Sequence, residues 1–440
     1  MNELRVHSKF GRILIAGAGP AAVQTAVVLN SQWGNPIGMA NREGSRSMAF
    51  TAELMENNYT IQAMAELERL KDFAGSAVLE AFYEGYPYIE GQWETLILCT
   101  PSDTYLSILK NMKPAALIWI KTIVLISPNA GSNLLVRGYL KKVNLNAEVI
   151  SLSSYYAATK LKEKDMLTIA LTKAAKKKIY AGSSMQNSPS LLAIQNLLEE
   201  IKVTCVLVKD PLEAESRSIT TFVHPPFFMN DFSLNEILTV NASHKSLYKL
   251  FPEGPITKDT IQIMVKLWKE LNGLFTRFNI EPVNLLQFLN DDNYPVLPES
   301  LSREDIEGFL SSEQTKQEYH LYVRYASLLN DPHSEPDRNG RYFEFSKVPY
   351  PKVSKEPDGR WRFPRIPFED YRNLKRLTGL ARYAKTDMPA AKELIQLFEK
   401  RVEEFCDYHQ VDKHLIIPRE TSIAEEILMI VSEWEGRQNE

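Results

Sequence analysis

The sequence predicts an α/β fold in which a doubly wound parallel sheet precedes a mainly α-helical domain with a small β excursion. Through the first half of the chain, short apolar runs alternate with helical stretches, which is the pattern of a parallel sheet with helices on both faces. From about Lys209 the periodicity becomes longer and helical, as over residues 261–278 and 313–329. We therefore expect one domain over residues 1–209 and a second over residues 210–440.

The strands of the predicted sheet are short apolar runs that end in turn residues. They are expected over residues 12–16, 37–40, 96–100, 122–126, 147–150, 167–171, 178–182 and 203–208. Helices are expected between them, over residues 52–70, 104–110 and 188–201.

One segment of the second half differs in composition from the rest. Residues 331–370 are rich in proline, glycine and aromatic residues, and they include two hairpin-type turns, Asp337-Arg-Asn-Gly340 and Pro357-Asp-Gly359. We expect the β excursion there. Residues 371–435 have the periodicity of amphipathic helices, which suit packing on the second domain or on a partner subunit.

A glycine-rich turn lies between the first strand and the first helix. Gly17 permits a tight turn, Gly19 lets the backbone approach a pyrophosphate, and the small Ala22 allows the helix to pack closely on the strand. The helix that begins at Pro20 and Ala21 offers free N–H groups to phosphates. The pattern is typical of a Rossmann-type dinucleotide site, although similar turns occur in folds that bind no nucleotide. We expect Gly17, Gly19, Pro20 and Ala21 to contact a cofactor.

The loop after the second strand indicates which dinucleotide binds. An NAD site places an acidic residue there for the ribose 2′-hydroxyl, whereas this chain continues with Arg42, Glu43, Gly44, Ser45 and Arg46. Two arginines and a serine suit a 2′-phosphate. Glu43 is the one residue that fits the NAD pattern, and the flanking arginines favour NADPH instead.

Two further loops follow apolar strands. Thr100 and Pro101 end one strand, and Ser127 and Pro128 end another. Because ligands of a doubly wound sheet bind at the carboxyl ends of its strands, we expect these residues to line the nicotinamide half of the cofactor site. Ordinary strand-to-helix turns are the alternative.

Composition limits the class of partner. The chain has 440 residues, a formal net charge of −4 and a pI of about 6.1, which give no long-range attraction to nucleic acid or to anionic membranes. Cys99, Cys205 and Cys406 are far apart and odd in number, which argues against a disulfide framework or a metal site. The amino terminus lacks an apolar run, and no stretch has the length of a membrane span. We expect a cytoplasmic protein that acts on small molecules.

A second region of the sequence contains a candidate catalytic residue. This residue is His224, which precedes Pro225 and Pro226 near the predicted domain boundary. Since two prolines disfavour helix, we expect an extended turn that fixes the direction of the imidazole. A histidine with a near-neutral pKa can donate a proton where a hydride is received. The alternative is a partly buried histidine bonded to backbone. Asp291 and Asp292 are adjacent carboxylates just past an apolar helix, and one of them is expected to orient His224. We predict this role for Asp292, and a solvated helix end is the alternative for at least one of the two.

These residues resemble those of the opine-metallophore dehydrogenases, the family of staphylopine, pseudopaline and bacillopaline dehydrogenases. The resemblance is carried by residues 222–233, 248–257, 283–288, 319–325 and 331–332. It implies an NADPH-dependent reductive condensation, in which the amine of a nicotianamine-like intermediate, a histidine with an aminobutyrate arm, forms an imine with a 2-oxo acid. The reduced product is a secreted metal chelator, so the enzyme itself is expected to need no metal. His224 matches the family's acid/base histidine and Arg42 its 2′-phosphate arginine, while Arg46 is a near match to a second basic residue.

The resemblance also concerns the oxo acid. The staphylopine enzyme, which uses pyruvate, carries an aspartate where this chain has Ala158, and the pseudopaline type, which uses 2-oxoglutarate, resembles this chain in having alanine. A carboxylate there would repel the distal carboxylate of 2-oxoglutarate and occupy its space. We therefore predict 2-oxoglutarate as the preferred oxo acid and pyruvate as the second.

The remaining predicted substrate residues are polar side chains in the segments already described. Lys160 and Arg217 are candidates for binding substrate carboxylates, Arg324 is a weaker one, and surface or interdomain ion pairs are the alternative for each. The complete predicted substrate set is Tyr155, Ala158, Lys160, Arg217, Asn230 and Asp231.

Two other functions fit the cofactor signals. A plain NADP-dependent 2-oxo acid reductase would oxidise NADPH with the oxo acid alone, without an amine. A regulatory protein that senses NADPH would bind it without turnover. If the protein is the dehydrogenase that the resemblance implies, we expect a homodimer, because helix-rich second domains of this superfamily often dimerise.

Overall fold

The computed structural model describes residues 10–239, 244–328, 330, 336, 339–342, 344, 346–356, 359–412, 416 and 420–438. The chain forms two compact units, Met1–Ser218 with Ser432–Glu440, and Ile219–Val431. The first unit extends to Ser218, beyond the expected boundary at residue 209, because a short helix after that point packs on strands of the first unit.

The strands of the first unit are close to those expected, with additional ones between residues 60 and 84. They are β1 Ile13–Ala16, β2 Ile37–Asn41, β3 Thr60–Ala65, β4 Gly75–Val78, β5 Ala81–Glu84, β6 Thr95–Leu98, β7 Thr122–Leu125, β8 Glu148–Leu152, β9 Ala157–Leu161, β10 Ile169–Ala175, β11 Lys178–Ser183 and β12 Thr204–Leu207.

Within the described residues, the main sheet has eight strands in the order β12-β11-β8-β7-β6-β1-β2-β5. Neighbouring strands are parallel, except that β11 pairs antiparallel with β8. Alternate residues of β1 enter two different apolar clusters, Ile13 and Ile15 in one and Leu14 and Ala16 in the other. Both faces of the strand are therefore buried, as expected for a parallel sheet covered by helices. The predicted fold class is confirmed.

The helices of the first unit connect these strands. They are α1 Pro20–Trp33, α2 Ser45–Glu56, α3 Tyr105–Asn111, α4 Pro114–Leu117, α5 Ser132–Lys142, α6 Pro189–Glu200 and α7 Pro211–Ser216. The predicted helix at residues 188–201 is confirmed as α6, where Ser188 accepts a hydrogen bond from the backbone N–H of Leu191 and Pro189 occupies the first turn. Such a cap satisfies a donor that the helix itself leaves unpaired.

A second sheet, of order β4-β3-β10-β9, was not predicted. The helix expected over residues 52–70 is wrong, because α2 ends at Glu56 and the chain turns with positive φ at Asn58 and Tyr59. Strand β3 then alternates buried Ile61 and Ala63 with exposed neighbours. The buried face of this sheet packs on α1.

The second unit is mainly helical, as predicted. Its helices are α8 Ile219–Phe228, α9 Asp231–Leu238, α10 Lys258–Arg277, α11 Leu285–Asp291, α12 Arg303–Glu307, α13 Gln314–Ser327, α14 Arg365–Tyr383, α15 Pro389–His409 and most of α16 Glu420–Gln438. The predicted β excursion is an antiparallel pair, β13 Ser354–Lys355 and β14 Trp361–Arg362. Most of the two turns predicted near it, at residues 337–340 and 357–359, lies outside the described residues.

Across the described part of the chain, every helix is too short or too polar to cross a membrane.

Candidate active site

The turn after β1 can be formed only by glycine at its first position. Gly17 has φ +124°, and a Cβ atom built on it would lie 2.8 Å from the carbonyl oxygen of Cys99. Side chains at this φ are strained, and contact with backbone cannot be relieved by rotating a side chain. Gly17 therefore allows the end of β1 to lie against the end of β6, which brings the turn to the carboxyl edge of the sheet.

The start of α1 is open to a ligand. A Cβ atom on Gly19 would meet no atom within 4 Å, so packing inside the protein does not explain this glycine. No side chain caps the helix at Gly19, and its first turn, beginning at Pro20 and Ala21, holds no acidic residue. Free N–H groups at a helix N-terminus favour an anion. The turn therefore fits the pyrophosphate of a dinucleotide.

The loop after β2 has the same features and adds positive charge. Gly44 precedes α2 with φ +142° and open space around it, and α2 has no side-chain cap and no acid in its first turn. Arg42, Ser45 and Arg46 are exposed in this loop. The donors in this short segment fit a phosphate monoester.

Glu43, the acidic residue of the same loop, has a partner within the protein. It interacts with the Tyr88 hydroxyl, and this hydrogen bond and its negative charge raise the pKa of that hydroxyl. The Arg42 guanidinium lies near Tyr86, where it opposes the burial that raises the pKa of Tyr86 to about 12. The contact with Tyr88 gives Glu43 a role in the loop that requires no ribose.

The two loops predicted for the nicotinamide half begin at the same edge of the sheet as Gly17. Strand β6 pairs in parallel with β1 and with β7, so the three strands end together. In the loop after β6, the Thr104 hydroxyl lies 2.8 Å from Oγ1 of Thr100 and 2.7 Å from the carbonyl oxygen of Pro101. In the loop after β7, Ser127 is exposed.

His224 lies inside helix α8, so the predicted extended turn is wrong. Pro225 and Pro226 are within the same helix, although neither can donate to a carbonyl of the preceding turn. Packing accounts for this, because α8 is apolar and contacts α10 and α14. Between Thr221 and Met229, His224 is the one residue that is not buried. The helix therefore leaves the imidazole partly accessible.

The carboxylate beside this imidazole belongs to Asp370 of α14. Nδ1 of His224 lies 3.5 Å from Oδ1 of Asp370, while Oδ2 of Asp370 is buried with no hydrogen-bond partner among the described residues. The ring of Phe228 lies 5.0 Å from the imidazole. A carboxylate close to Nδ1 can fix the tautomer of an imidazole and leave Nε2 as the nitrogen that exchanges a proton.

Asp292, the carboxylate predicted for this role, is buried at the end of α11. The structure places Asp370 beside the imidazole. Tyr248 is close enough to Asp370 for its pKa to be affected, since burial first and then the charges of its neighbours, Asp370 among them, raise it. A carboxylate, an imidazole and a phenol therefore occur in one region of the second unit.

Ala158 and Lys160 share one face of β9. Both side chains are exposed, whereas Ala157 is buried, as expected for the alternation of a strand. Strand β10 carries an irregularity between Thr172 and Ala174, opposite the residues just before Lys160. Such bulges redirect side chains and are common next to active sites.

Tyr155 links the segment before β9 to helix α1. Its hydroxyl lies 2.7 Å from Oε1 of Gln24 on α1, and its ring lies 4.9 Å from that of Tyr156. Burial raises the pKa of Tyr155 well above its ordinary value, so the hydroxyl stays protonated. The strand that carries Ala158 is thus anchored to the helix that follows the glycine turn.

Arg217 is mostly buried and only partly paired. Its guanidinium lies 3.6 Å from Oε1 of Glu213 and 5.9 Å from the ring of Tyr180. Its Nε is buried with no acceptor in the described part of the chain. The hydrogen bonding of this guanidinium within the described residues is therefore incomplete.

The side chains of three other predicted substrate residues have partners within the protein, so their presence does not require a substrate. The Asn230 amide caps α9 through Ser233 and donates to two carbonyl oxygens at the end of α8. Asp231 forms an ion pair with Arg401, and its side chain is 65% exposed. Arg324 is buried and donates to the carbonyl oxygens of Leu289 and Tyr294. We leave the three out of the proposed site.

The sequence matches the staphylopine dehydrogenase family over residues 11–434. The chain belongs to this family. It is 41% identical to pseudopaline synthase from Pseudomonas aeruginosa over 397 residues, which are 90% of this chain and 91% of that protein. It is 35% identical to staphylopine synthase from Staphylococcus aureus over 402 residues, 91% and 92% of the two chains.

A solved structure gives the same result. Yersinopine dehydrogenase with bound NADP+ has a TM-score of 0.89 and 30% identity, covering 97% of this chain and 99% of that one. The resemblance stated from the sequence motifs is confirmed at the level of the family.

Asp370 was not among the residues predicted from the sequence, although the sequence contains a signal for it. Asp370, Asn373 and Arg376 recur at three-residue spacing on the buried face of α14. Polar residues on the face that an amphipathic helix buries require partners, because an unpaired buried polar group is unfavourable. These three buried polar residues indicate that α14 has a role besides packing against its neighbours.

Proposed function

We propose that the protein is an NADPH-dependent opine dehydrogenase that makes an opine-type metallophore. It would condense the primary amine of a nicotianamine-like histidine-aminobutyrate intermediate with a 2-oxo acid and reduce the resulting imine. The observation that carries this proposal is the match to metallophore synthases over nine-tenths of the chain, in a protein whose first unit has an open, uncapped glycine turn.

The proposed reaction balances with one cofactor. The ammonium group of the first substrate loses a proton, and its nitrogen attacks the ketone carbon of the oxo acid to give a carbinolamine. The hydroxyl group of the carbinolamine leaves as water with that proton, and a protonated imine remains. A hydride delivered to the imine carbon gives a secondary amine and NADP+.

The cofactor is assigned to the first unit. Gly17, Gly19 and the start of α1 would bind the pyrophosphate, and Arg42 and its neighbours would bind the 2′-phosphate. NADPH, when bound, supplies the hydride. The structure of a 30% identical relative with NADP+ supports this choice over NADH.

The proton is assigned to His224. Its partly accessible imidazole would take the proton from the ammonium group and return it to the hydroxyl that leaves as water. Asp370, whose Oδ1 lies 3.5 Å from Nδ1, would hold the imidazole in one orientation through these two steps. One histidine can thus act first as a base and then as an acid.

The exposed face of β9 supports 2-oxoglutarate as the preferred oxo acid. Ala158 presents only a methyl group, and Lys160 presents an ammonium group on the same face, with no acidic partner among the described residues. A lysine and a small neutral residue favour an additional carboxylate, whereas an acid at 158 would oppose it. Arg217, which is only loosely paired with Glu213, would bind a second substrate carboxylate.

The test is whether NADPH oxidation requires both substrates. The absorbance of NADPH is followed with the amine alone, with the oxo acid alone and with both, and products are identified by mass spectrometry. We expect turnover only with both, a secondary amine that carries the oxo-acid carbons, and a higher kcat/KM for 2-oxoglutarate than for pyruvate. Turnover with the oxo acid alone would instead identify a 2-oxo acid reductase, and binding without turnover would identify a sensor.

A further inference from the structure

The first unit buries a carboxylate that the proposed reaction does not use. Glu215 of α7 is fully buried and accepts four hydrogen bonds. The donors are the backbone N–H groups of Gly131 and Asn133, each at 2.7 Å, the side-chain amide of Asn133 at 3.0 Å and the hydroxyl of Ser151 at 2.8 Å. Each donor lies in the chain itself, so this carboxylate is held by the fold.

Local sequence explains how α7 delivers this side chain. Asp210 caps the helix by accepting from the N–H of Glu213, and Pro211 occupies its first turn. Gly182 of β11 lets the segment approach the sheet, because a Cβ atom there would lie 2.2 Å from the carbonyl oxygen of Asp210. A capped helix in close contact with the sheet therefore directs Glu215 inward.

The donors surround one loop. Helix α5 begins at Ser132 after Gly131, which has φ +89°, and no side chain of its own caps it. Glu215 replaces the missing cap, since its oxygens accept from the N–H groups on both sides of Ser132. Ser151 is level with Leu125 at the end of β7, so the same carboxylate also joins the ends of β7 and β8.

We propose that Glu215 is a positioning residue, which holds the loop at residues 127–133 in the conformation that receives the nicotinamide half of the cofactor. The proposal rests on the proposed cofactor. Its structural basis is that the loop begins where β7 ends, beside β6 and the glycine turn after β1. Because Gly131 and Asn133 donate to the two different oxygens of the carboxylate, only a group with two acceptors can hold both ends of the turn.

The substitution Glu215→Gln separates this role from general packing. Glutamine keeps the shape of the side chain but has only one acceptor oxygen. Its NH2 group would therefore face the backbone N–H group of Gly131 or of Asn133, which is also a donor. The matched control is Glu148→Gln, at the amino end of β8, where Glu148 accepts from the hydroxyls of Ser183 and Ser188. Both substitutions remove a carboxylate bonded to the main sheet, but only Glu215 contacts the loop after β7.

The first measurement is the dissociation constant of NADPH from nicotinamide fluorescence. We expect Glu215→Gln to weaken NADPH binding about 10-fold or more, as for the loss of a hydrogen bond to a charged group, and Glu148→Gln to leave it unchanged. Hydrogen exchange of the free protein should show faster exchange at residues 127–133 only in Glu215→Gln. Unchanged affinity and exchange in Glu215→Gln, or equal losses in both variants, would overturn the proposal.

The second measurement is the deuterium isotope effect on kcat, with NADPH deuterated at the transferred hydrogen. A misplaced nicotinamide slows hydride transfer, so the effect should rise in Glu215→Gln, whereas a loss of folded protein would not change it. If Glu215→Gln does not fold, Ser151→Ala removes one donor and should give a smaller change in the same direction, and no change in it would contradict the role. Failure of the wild type to turn over would count against the proposed reaction, and the fluorescence and exchange results would still decide the role of Glu215.

Discussion

The glycine turn of the first unit and the His224 region of the second differ in how they are made. The turn is formed by backbone within a few residues, where Gly17 is required by the approach of Cys99 and Gly19 leaves its surroundings open. The His224 region is formed by side chains from α8 and α14, which are far apart in the sequence. A site formed by local backbone can be recognised in the sequence from the spacing of residue types. A site formed by side chains of two packed helices has almost no such pattern. The two regions also have different proposed roles: the first unit binds the cofactor, and the second transfers the proton.

The largest effect is expected from His224→Ala. Removing the proposed proton donor and acceptor should lower kcat roughly 10²-fold or more, while the NADPH dissociation constant stays the same, because the residues proposed to bind the cofactor belong to the first unit. Steady-state kinetics and fluorescence titration measure the two quantities. His244→Ala, at an exposed histidine, is the control and should behave as the wild type. An unchanged kcat in His224→Ala would remove this residue from the mechanism.

The next largest effect is expected from Asp370→Asn. Asparagine keeps the size of the side chain but replaces one carboxylate oxygen with an NH2 group, so the orientation and tautomer of the imidazole are no longer fixed and kcat should fall about 10-fold or more. Asp292→Asn is the matched comparison, since Asp292 was the carboxylate expected from the sequence. If Asp292→Asn lowers kcat more than Asp370→Asn does, the pairing seen in the structure is not the functional one.

A change of similar size, in KM for NADPH, is expected from Arg42→Ala. The loss of a charged hydrogen bond to the 2′-phosphate should raise KM for NADPH roughly 10-fold or more and hardly change KM for NADH, which lacks that phosphate. Glu43→Gln in the same loop should leave the preference for NADPH intact. Equal effects of Arg42→Ala on both cofactors would show that Arg42 does not read the phosphate.

Substrate choice should respond to Ala158→Asp. The new carboxylate should lower kcat/KM for 2-oxoglutarate relative to pyruvate by about 10-fold, because it would repel the distal carboxylate of 2-oxoglutarate, which pyruvate lacks. Ala158→Asn introduces nearly the same volume without charge and should have a smaller effect. Equal losses in the two variants would mean that volume, and not charge, sets the preference.

The smallest effect concerns stability and pH. Burial, only partly offset by its hydrogen bonds, raises the pKa of Glu215 to about 7, from an ordinary value of 4.5. The folded protein therefore binds this proton more tightly than the unfolded chain, and the stability it contributes is lost as pH rises through about 7. We expect the Tm of the wild type to fall, relative to that of Glu215→Gln, between about pH 5 and pH 8. A constant difference in Tm would contradict the raised pKa.

Much of the fold could be predicted because its signals are local. Helix α10, for example, follows Thr257, a residue type that favours helix N-caps, and Thr257 accepts a hydrogen bond from the backbone N–H of Thr260. The strand at Thr60–Ala65 was missed because the turn at Asn58 and Tyr59 uses positive φ without glycine. Helix α8 was missed because Pro225 and Pro226 disfavour helix, and the packing that outweighs them is tertiary.

The candidate site divides in the same way. Gly17 and Arg42 were predicted from spacing, since a phosphate site needs glycine turns and basic groups at fixed positions. Asp370 and Glu215 were not assigned, because their roles depend on which helix packs against them. Asn230 and Asp231 were chosen for their residue types, and the structure shows that a helix cap and an ion pair explain them.

The most direct test of the division of labour is the single-turnover rate of hydride transfer at saturating NADPH, measured for Arg42→Ala and His224→Ala with both substrates present. In Arg42→Ala, saturation should restore the wild-type rate, because only affinity was lost. In His224→Ala the rate should stay roughly 10²-fold or more below the wild type, because proton transfer precedes and permits imine formation. Recovery of His224→Ala at saturating NADPH, or no recovery of Arg42→Ala, would contradict the account.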